Sequence, residues 1–198
     1  MSPKPDVSEE RTNQIIEAAM NVFSRLGFNK ARMDDIAEET KLSKGTLYLY
    51  FKSKDELIIA MIHRLFDVEF DKMFSATYQD GSIADRLLHM TDDLMKNAQS
   101  LILLRPVIYE VYAASFRYKT IREVMKQFYA RYLDFIAPII QEGIDNGEFQ
   151  AVEPETAAIA SGALMEGTIL LWVYDPDRID LQKHVHQSMQ IFVNGLKK

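Results

Sequence analysis

Cysteine is absent from the 198 residues. That removes disulfides, thiolate zinc sites and cysteine nucleophiles, and it agrees with a reducing compartment such as the cytoplasm. Histidine is scarce, with four residues. The one close pair, His184 and His186, lies two apart in a helical stretch, where side chains diverge by about 200°, so no metal site is expected. No serine stands in a Gly-x-Ser-x-Gly turn and no phosphate loop occurs. Adjacent acids such as Glu9-Glu10 and Asp92-Asp93 read as solvated surface. No catalytic residue and no cofactor is therefore expected, and an enzyme is disfavoured, although catalytic groups can assemble from distant helices. The start, Met-Ser-Pro-Lys-Pro-Asp, is polar, so no signal peptide is expected. One apolar run, Thr156 to Tyr174, approaches membrane-spanning length. It carries Glu166 together with Ser161, Gly162, Ala163 and Gly167, and reads as a buried packing helix with no membrane partner. Net charge is −6, which argues against indiscriminate binding to nucleic acid.

What is present is helical periodicity, and the fold class it implies is all-α. Apolar residues return every three or four positions along most of the chain. Ser8 caps a first helix that runs to about Arg25 and buries Ile15, Ala19, Val22, Phe23 and Leu26, with Gly27 ending it. Ser53 with Glu56 forms a capping box for a helix reaching about Phe74, whose wide apolar arc implies contact on two sides. Tyr78 to Gly81 is a loop. Further helices are expected from about Ser82 to Ala98, from Leu101 with a break or kink at Pro106, from Thr120 to Asn146 with a kink at Pro138, from Pro154 to Tyr174, and from Asp180 to Leu196. The last carries a narrow stripe, Leu181, Val185, Met189, Phe192 and Leu196, suited to a bundle interface.

The segment from Ile36 to Lys54 reads as two short helices around a tight corner. Ile36, Ala37 and Thr40 share one face, Ser43 is an N-cap, and Leu47 with Phe51 anchors the second helix inward. From Lys41 to Lys54 there are four lysines and no acid, in a chain whose first 60 residues are together near neutral and whose remainder is acidic. Gly45 leaves room for close approach, and threonine and tyrosine hydroxyls can bond phosphates or base edges. DNA binding fits this pattern; so does an ordinary helical hairpin with a solvated basic end.

The run Gly27-Phe28-Asn29-Lys30-Ala31, then Ile36-Ala37, then Ser43-Lys44-Gly45-Thr46-Leu47-Tyr48-x-Tyr50-Phe51-x-Ser53-Lys54-x-x-Leu57 closely resembles the N-terminal domain of TetR-type transcriptional repressors. Two positions depart from that pattern. Arg32 stands where the family commonly has Ser or Thr, and Lys41 where it often has Gly, at a left-handed corner costing on the order of 1 kcal/mol. The resemblance implies a helix-turn-helix DNA-binding domain over 8–54 and a helical effector-binding and dimerisation domain over 55–198, about nine helices in all. It implies a homodimer through the last two helices, placing two third helices in successive major grooves of a palindromic operator. Lys44 and Thr46 would then reach base edges and Leu49 a thymine methyl; Tyr48, Tyr50 and Lys54 would hold phosphate, with Arg32 and Lys52 beside them, Gly45 allowing approach and Ser43 acting as the cap. The effector would be a small hydrophobic or aromatic molecule in a pocket drawn from Met90, Leu94, Tyr109, Tyr112, Phe116, Phe128, Arg131, Tyr132, Glu166 and Trp172, although aromatics at helical spacing also serve simply as core. The chain thus reads as a cytoplasmic, ligand-released repressor. A helical enzyme, or a protein-interaction adaptor with an incidental basic corner, remains the alternative.

Overall fold

The structure is a computed structural model that describes residues 7–75, 81–96 and 98–198, with side chains for all but 7, 68–75 and 98–105 of these. Nine α-helices and no strand occur among the described residues: α1 (Val7–Lys30), α2 (Met33–Thr40), α3 (Lys44–Tyr50), α4 (Lys54–Ser75), α5 (Ile83–Met95), α6 (Ala98–Arg117), α7 (Lys119–Asp145), α8 (Pro154–Tyr174) and α9 (Leu181–Leu196). Most of the loop expected at 78–81 lies outside the described residues. The chain forms two compact units, one of residues 1–67 with 101–124, the other of 68–100 with 125–198. This differs from a division at residue 54: α6 and the first half of α4 group with the three N-terminal helices.

The reason is burial. In the first unit Ile15, Ala19, Val22, Phe23, Ile36 and Leu47 are fully enclosed, but three helices, two of them short, enclose little apolar area alone. Leu57, Met61 and Ile62 from α4 and Val107 from α6 are enclosed in the same unit. Phe23 and Phe28 meet edge to face at 5.0 Å, a favoured aromatic geometry. Gly27 interrupts α1 at φ 73°, ψ 164°, and helical backbone resumes to Lys30 rather than ending near Arg25. Leu26, expected inward, is exposed just before this break. A Cβ at Gly27 would stand 2.8 Å from Glu110 Oε1 of α6, so the glycine serves both the turn and a close approach.

In the second unit α9 packs against both α5 and α8. Three side-chain caps start these helices: Ser82 on α5, Glu153 on α8 and Asp180 on α9. Glu148, 65 residues from Ile83, accepts from the Ile83 and Ala84 backbone N–H groups at 2.7 and 2.8 Å, tying the turn after α7 to the start of α5. Phe149 beside it is completely buried against Gly143. Helix α5 ends at Met95, earlier than the periodicity suggests, while α6 and α7 run through Pro106 and Pro138.

Helix α8 is not wholly a buried packing helix. It buries Ala157, Ala158, Ser161, Gly162, Thr168 and Trp172 but exposes Ile159, Leu164, Leu171 and Tyr174. By length and composition alone it could cross a membrane.

Candidate nucleic-acid interface

The α2–α3 corner is built from a few local decisions. Arg32 precedes α2 in extended conformation, and its backbone N–H donates to Asp35 Oδ2 at 2.8 Å, the reach-back half of a capping box. Thr40, buried at the end of α2, turns its hydroxyl back to the Ile36 and Ala37 carbonyls, each at 3.0 Å. Lys41 then takes the left-handed conformation, φ 57° and ψ 27°, the single non-glycine residue with positive φ among those described. Ser43 Oγ accepts from the Thr46 backbone N–H at 3.1 Å and starts α3. Leu47 and Phe51 are buried beneath.

The opposite side of α3 is open. Leu49 is 74 % exposed and Tyr48 41 %. A Cβ on Gly45 would meet nothing nearer than 3.9 Å, so a duplex backbone can approach there without obstruction. Lys44 is exposed, and its ammonium lies 2.6 Å from Asp34 Oδ2 of α2; that hydrogen bond holds the Lys44 pKa above the ordinary lysine value. The Thr46 hydroxyl shares a 2.8 Å hydrogen bond with Ser43 Oγ, and Tyr50 is half-buried.

Two lysines expected at the DNA, Lys54 on phosphate and Lys52 beside it, have partners within the protein. Lys54 Nζ donates to the Phe28 and Ala31 carbonyls at 2.5 and 3.0 Å, closing the end of α1. Lys52 Nζ donates to the Tyr48 carbonyl at 3.0 Å at the end of α3. Both are cations at helix C-termini, where unpaired carbonyls collect. Glu56 accepts from the Lys52 backbone N–H at 2.7 Å instead of the Ser53 N–H that a capping box uses, while Ser53 Oγ accepts from Glu56 N at 3.1 Å.

The second unit holds a cavity of about 20 Å³, room for little more than one water. Of the expected pocket residues Met90, Leu94 and Tyr132 line it, joined by Thr91, Ser161, Met165, Met189 and others. Tyr132 is buried, which pushes its pKa up, and its hydroxyl lies 2.7 Å from Ser161 Oγ. Ser161 Oγ donates to the Ala158 carbonyl at 2.8 Å, so Tyr132 supplies the proton of the pair. The ring lies against Gly162, where a Cβ would stand 3.0 Å from Tyr132 Cε1.

The other expected pocket residues fall elsewhere. Tyr109, Tyr112 and Phe116 belong to the first unit, with Tyr109 53 % and Phe116 82 % exposed. Arg131 is exposed, Phe128 stacks edge-on with Tyr129, Glu166 accepts from the Tyr129 hydroxyl, and Trp172 is buried away from the cavity lining. The helical rows that placed Met90 and Leu94 also contain Leu87, and the α9 stripe contains Met189 and Phe192; the period was the signal for them. Ser161 carried none beyond its small size. His184 and His186 turn to separate partners, the Asp180 carbonyl at 2.7 Å and Asp92 Oδ1 at 2.6 Å, and no metal-ligand cluster occurs among the described residues.

Comparison with known proteins agrees with this arrangement. Residues 15–61 match the sequence model of bacterial regulatory proteins of the tetR family, and residues 83–193 that of the C-terminal domain of BetI-type transcriptional repressors. The HTH-type transcriptional regulator YfiR of Bacillus subtilis is 35 % identical over 159 residues, which cover 78 % of this chain and 76 % of that protein. Two solved structures share the fold. A transcriptional regulator from Saccharomonospora viridis in complex with choline superposes with a TM-score of 0.82 at 23 % identity, covering 96 % of this chain and 99 % of that one. The regulator FadR from Bacillus subtilis in complex with stearoyl-CoA gives 0.80 at 22 %, covering 93 % and 98 %. The chain therefore belongs to the TetR family: it is a helix-turn-helix transcriptional regulator and not an enzyme.

Proposed function

We propose that this regulator is a homodimeric, cytoplasmic repressor that grips a palindromic operator through α3 and lets go when a small, largely hydrophobic effector binds. The observation that carries the DNA reading is the open side of α3, where Lys44, Tyr48 and Leu49 are exposed around an unobstructed Gly45. Lys44 would reach a base edge and Leu49 a thymine methyl, with Tyr48 and Arg32 on phosphate and Tyr50 beside them. Lys52, Lys54 and Thr46 act first as structural ties, since each already has a partner within the head.

The dimer reading is supported by an uncovered stripe. Ala160, Leu164, Gly167, Leu171 and Tyr174 recur on α8 at spacings of four and three, and none is buried in the single chain. Ile191 on α9 is 74 % exposed. A Cβ on Gly167 or Gly195 would meet nothing within 4 Å, which is space for a neighbouring helix. Such a seam matches packing against its own copy in a symmetric bundle.

For the effector, the cavity walls carry no charged side chain and three methionines, Met90, Met165 and Met189. Methionines re-pack readily, so the cavity can widen for an acyl or aromatic group, with the Tyr132–Ser161 pair its polar contact. Solved relatives in complex with choline and stearoyl-CoA make effector binding by this fold reasonable for this chain too. The ligand must favour the DNA-incompetent arrangement, or no release follows.

The test is a mobility-shift titration on the DNA upstream of the protein's own gene. Saturable binding that Lys44→Ala with Tyr48→Ala abolishes, in a variant that still melts normally, supports the reading. Undiminished binding by that variant overturns it.

A further inference from the structure

We propose that Asp34, together with Lys44, reads a G·C base pair, so that an acidic residue helps set operator specificity. This deepens the reading of α3 as the groove-reading helix and rests on it. The observation is the exposed contact between Lys44 Nζ and Asp34 Oδ2 at 2.6 Å, with side chains 60 % and 55 % accessible.

Two other acids of α2 have tasks of their own. Asp35 accepts from the Arg32 backbone N–H. Glu39 is paired with Arg25 at 2.8 Å. Neither task needs Asp34, whose carboxylate is turned instead to the first residue of the reading helix. A carboxylate there repels phosphate, so backbone contact alone does not account for it.

The chemistry of the groove does. In the major groove guanine presents two acceptors, N7 and O6, beside the N4 amino donor of its cytosine. A lysine ammonium has three donors and no acceptor; an ionised carboxylate has acceptors only. One Lys44 donor goes to Asp34, and two remain for guanine. Asp34 retains lone pairs for cytosine N4–H. The joined pair is thus complementary to a G·C edge and mismatched to an A·T edge, where the Lys44 ammonium would face an adenine amino group. Asp34 also cancels the Lys44 charge, which lowers attraction to arbitrary DNA and raises the ratio of specific to non-specific binding.

The experiment selects duplexes from a random pool with the full-length protein, D34N, K44M and the D34N/K44M double variant. Affinities for the selected site and for random duplex are then measured across a salt series. Wild type should enrich one G·C pair at a fixed place in each half-site. D34N should relax that preference roughly tenfold, and should steepen the salt dependence on random duplex by about 0.9 in log–log slope per subunit. In the K44M background D34N should change the preference much less, because the pair no longer acts as a unit. Because Asp35 keeps its reach-back bond, D34N should retain its melting temperature, and K44M reads the same pair without touching α2. A wild-type consensus that D34N leaves unaltered, or an equal D34N effect with and without Lys44, overturns the inference alone. Failure of the wild type to enrich any consensus overturns the α3 reading, and this inference with it.

Discussion

Replacing Lys54 with methionine separates two roles that a lysine beside a recognition helix can have. The stem remains and the ammonium goes. In the structure that ammonium donates to the Phe28 and Ala31 carbonyls, joining the start of α4 to the end of α1. Hydrogen bonds from a charged donor contribute about 1.5–3 kcal/mol net, and the two carbonyls lose their partner together. Phe28 and Ala31 are nearly fully buried, so water replaces the donor poorly. A loss of about 2–3 kcal/mol is expected, or roughly 4–12 °C if the chain melts as one cooperative unit. A lysine that gripped phosphate would behave differently. Its removal would leave stability unchanged and flatten the salt dependence of operator binding by about 0.9 in log–log slope per subunit. Thermal melting by circular dichroism and a salt series by fluorescence anisotropy measure both quantities on one preparation. The structure predicts a lower melting temperature with the salt slope unchanged. A variant that melts like wild type but has lost slope would refute the reasoning.

Other expectations are equally specific. Gly143→Ala should destabilise by about 1–3 kcal/mol in chemical denaturation despite better helix propensity, because the new Cβ would lie 2.6 Å from Cε2 of the fully enclosed Phe149 ring. Glu153, held below the ordinary glutamate range by Thr156 and by the N–H groups starting α8, stabilises the fold above that range; this contribution fades as pH falls through its lowered pKa, so Glu153→Gln should lower the melting temperature at pH 7 and flatten the acid limb of a melting-versus-pH series. Ile191→Glu, on the exposed side of α9, should shift sedimentation toward the single subunit and weaken operator binding without altering helix content.

What the sequence disclosed is what depends on near neighbours. Ser43 as a cap, the left-handed Lys41 and the burial of Leu47 with Phe51 are settled within a turn or two of helix, and the spacing of residue types carries that information. Long-range partners leave no such trace. A cation count could not tell Lys54 on carbonyls from Lys54 on phosphate, because both roles ask for a positive charge near a helix end. Tyr109, Tyr112 and Phe116 share a helical face, yet which neighbour that face meets depends on the course of α6, which groups with the first unit. Glu148 reaching the start of α5 across 65 residues is invisible to periodicity altogether. The contact of Asp34 with Lys44 arises only when α2 and α3 are folded against each other.

The most direct measurement is selection of duplex DNA from a random pool by the purified protein. A two-fold symmetric consensus, with half-sites centred about one helical turn or somewhat more apart, is the predicted result. An asymmetric consensus, or no enrichment over input at moderate salt, would contradict it.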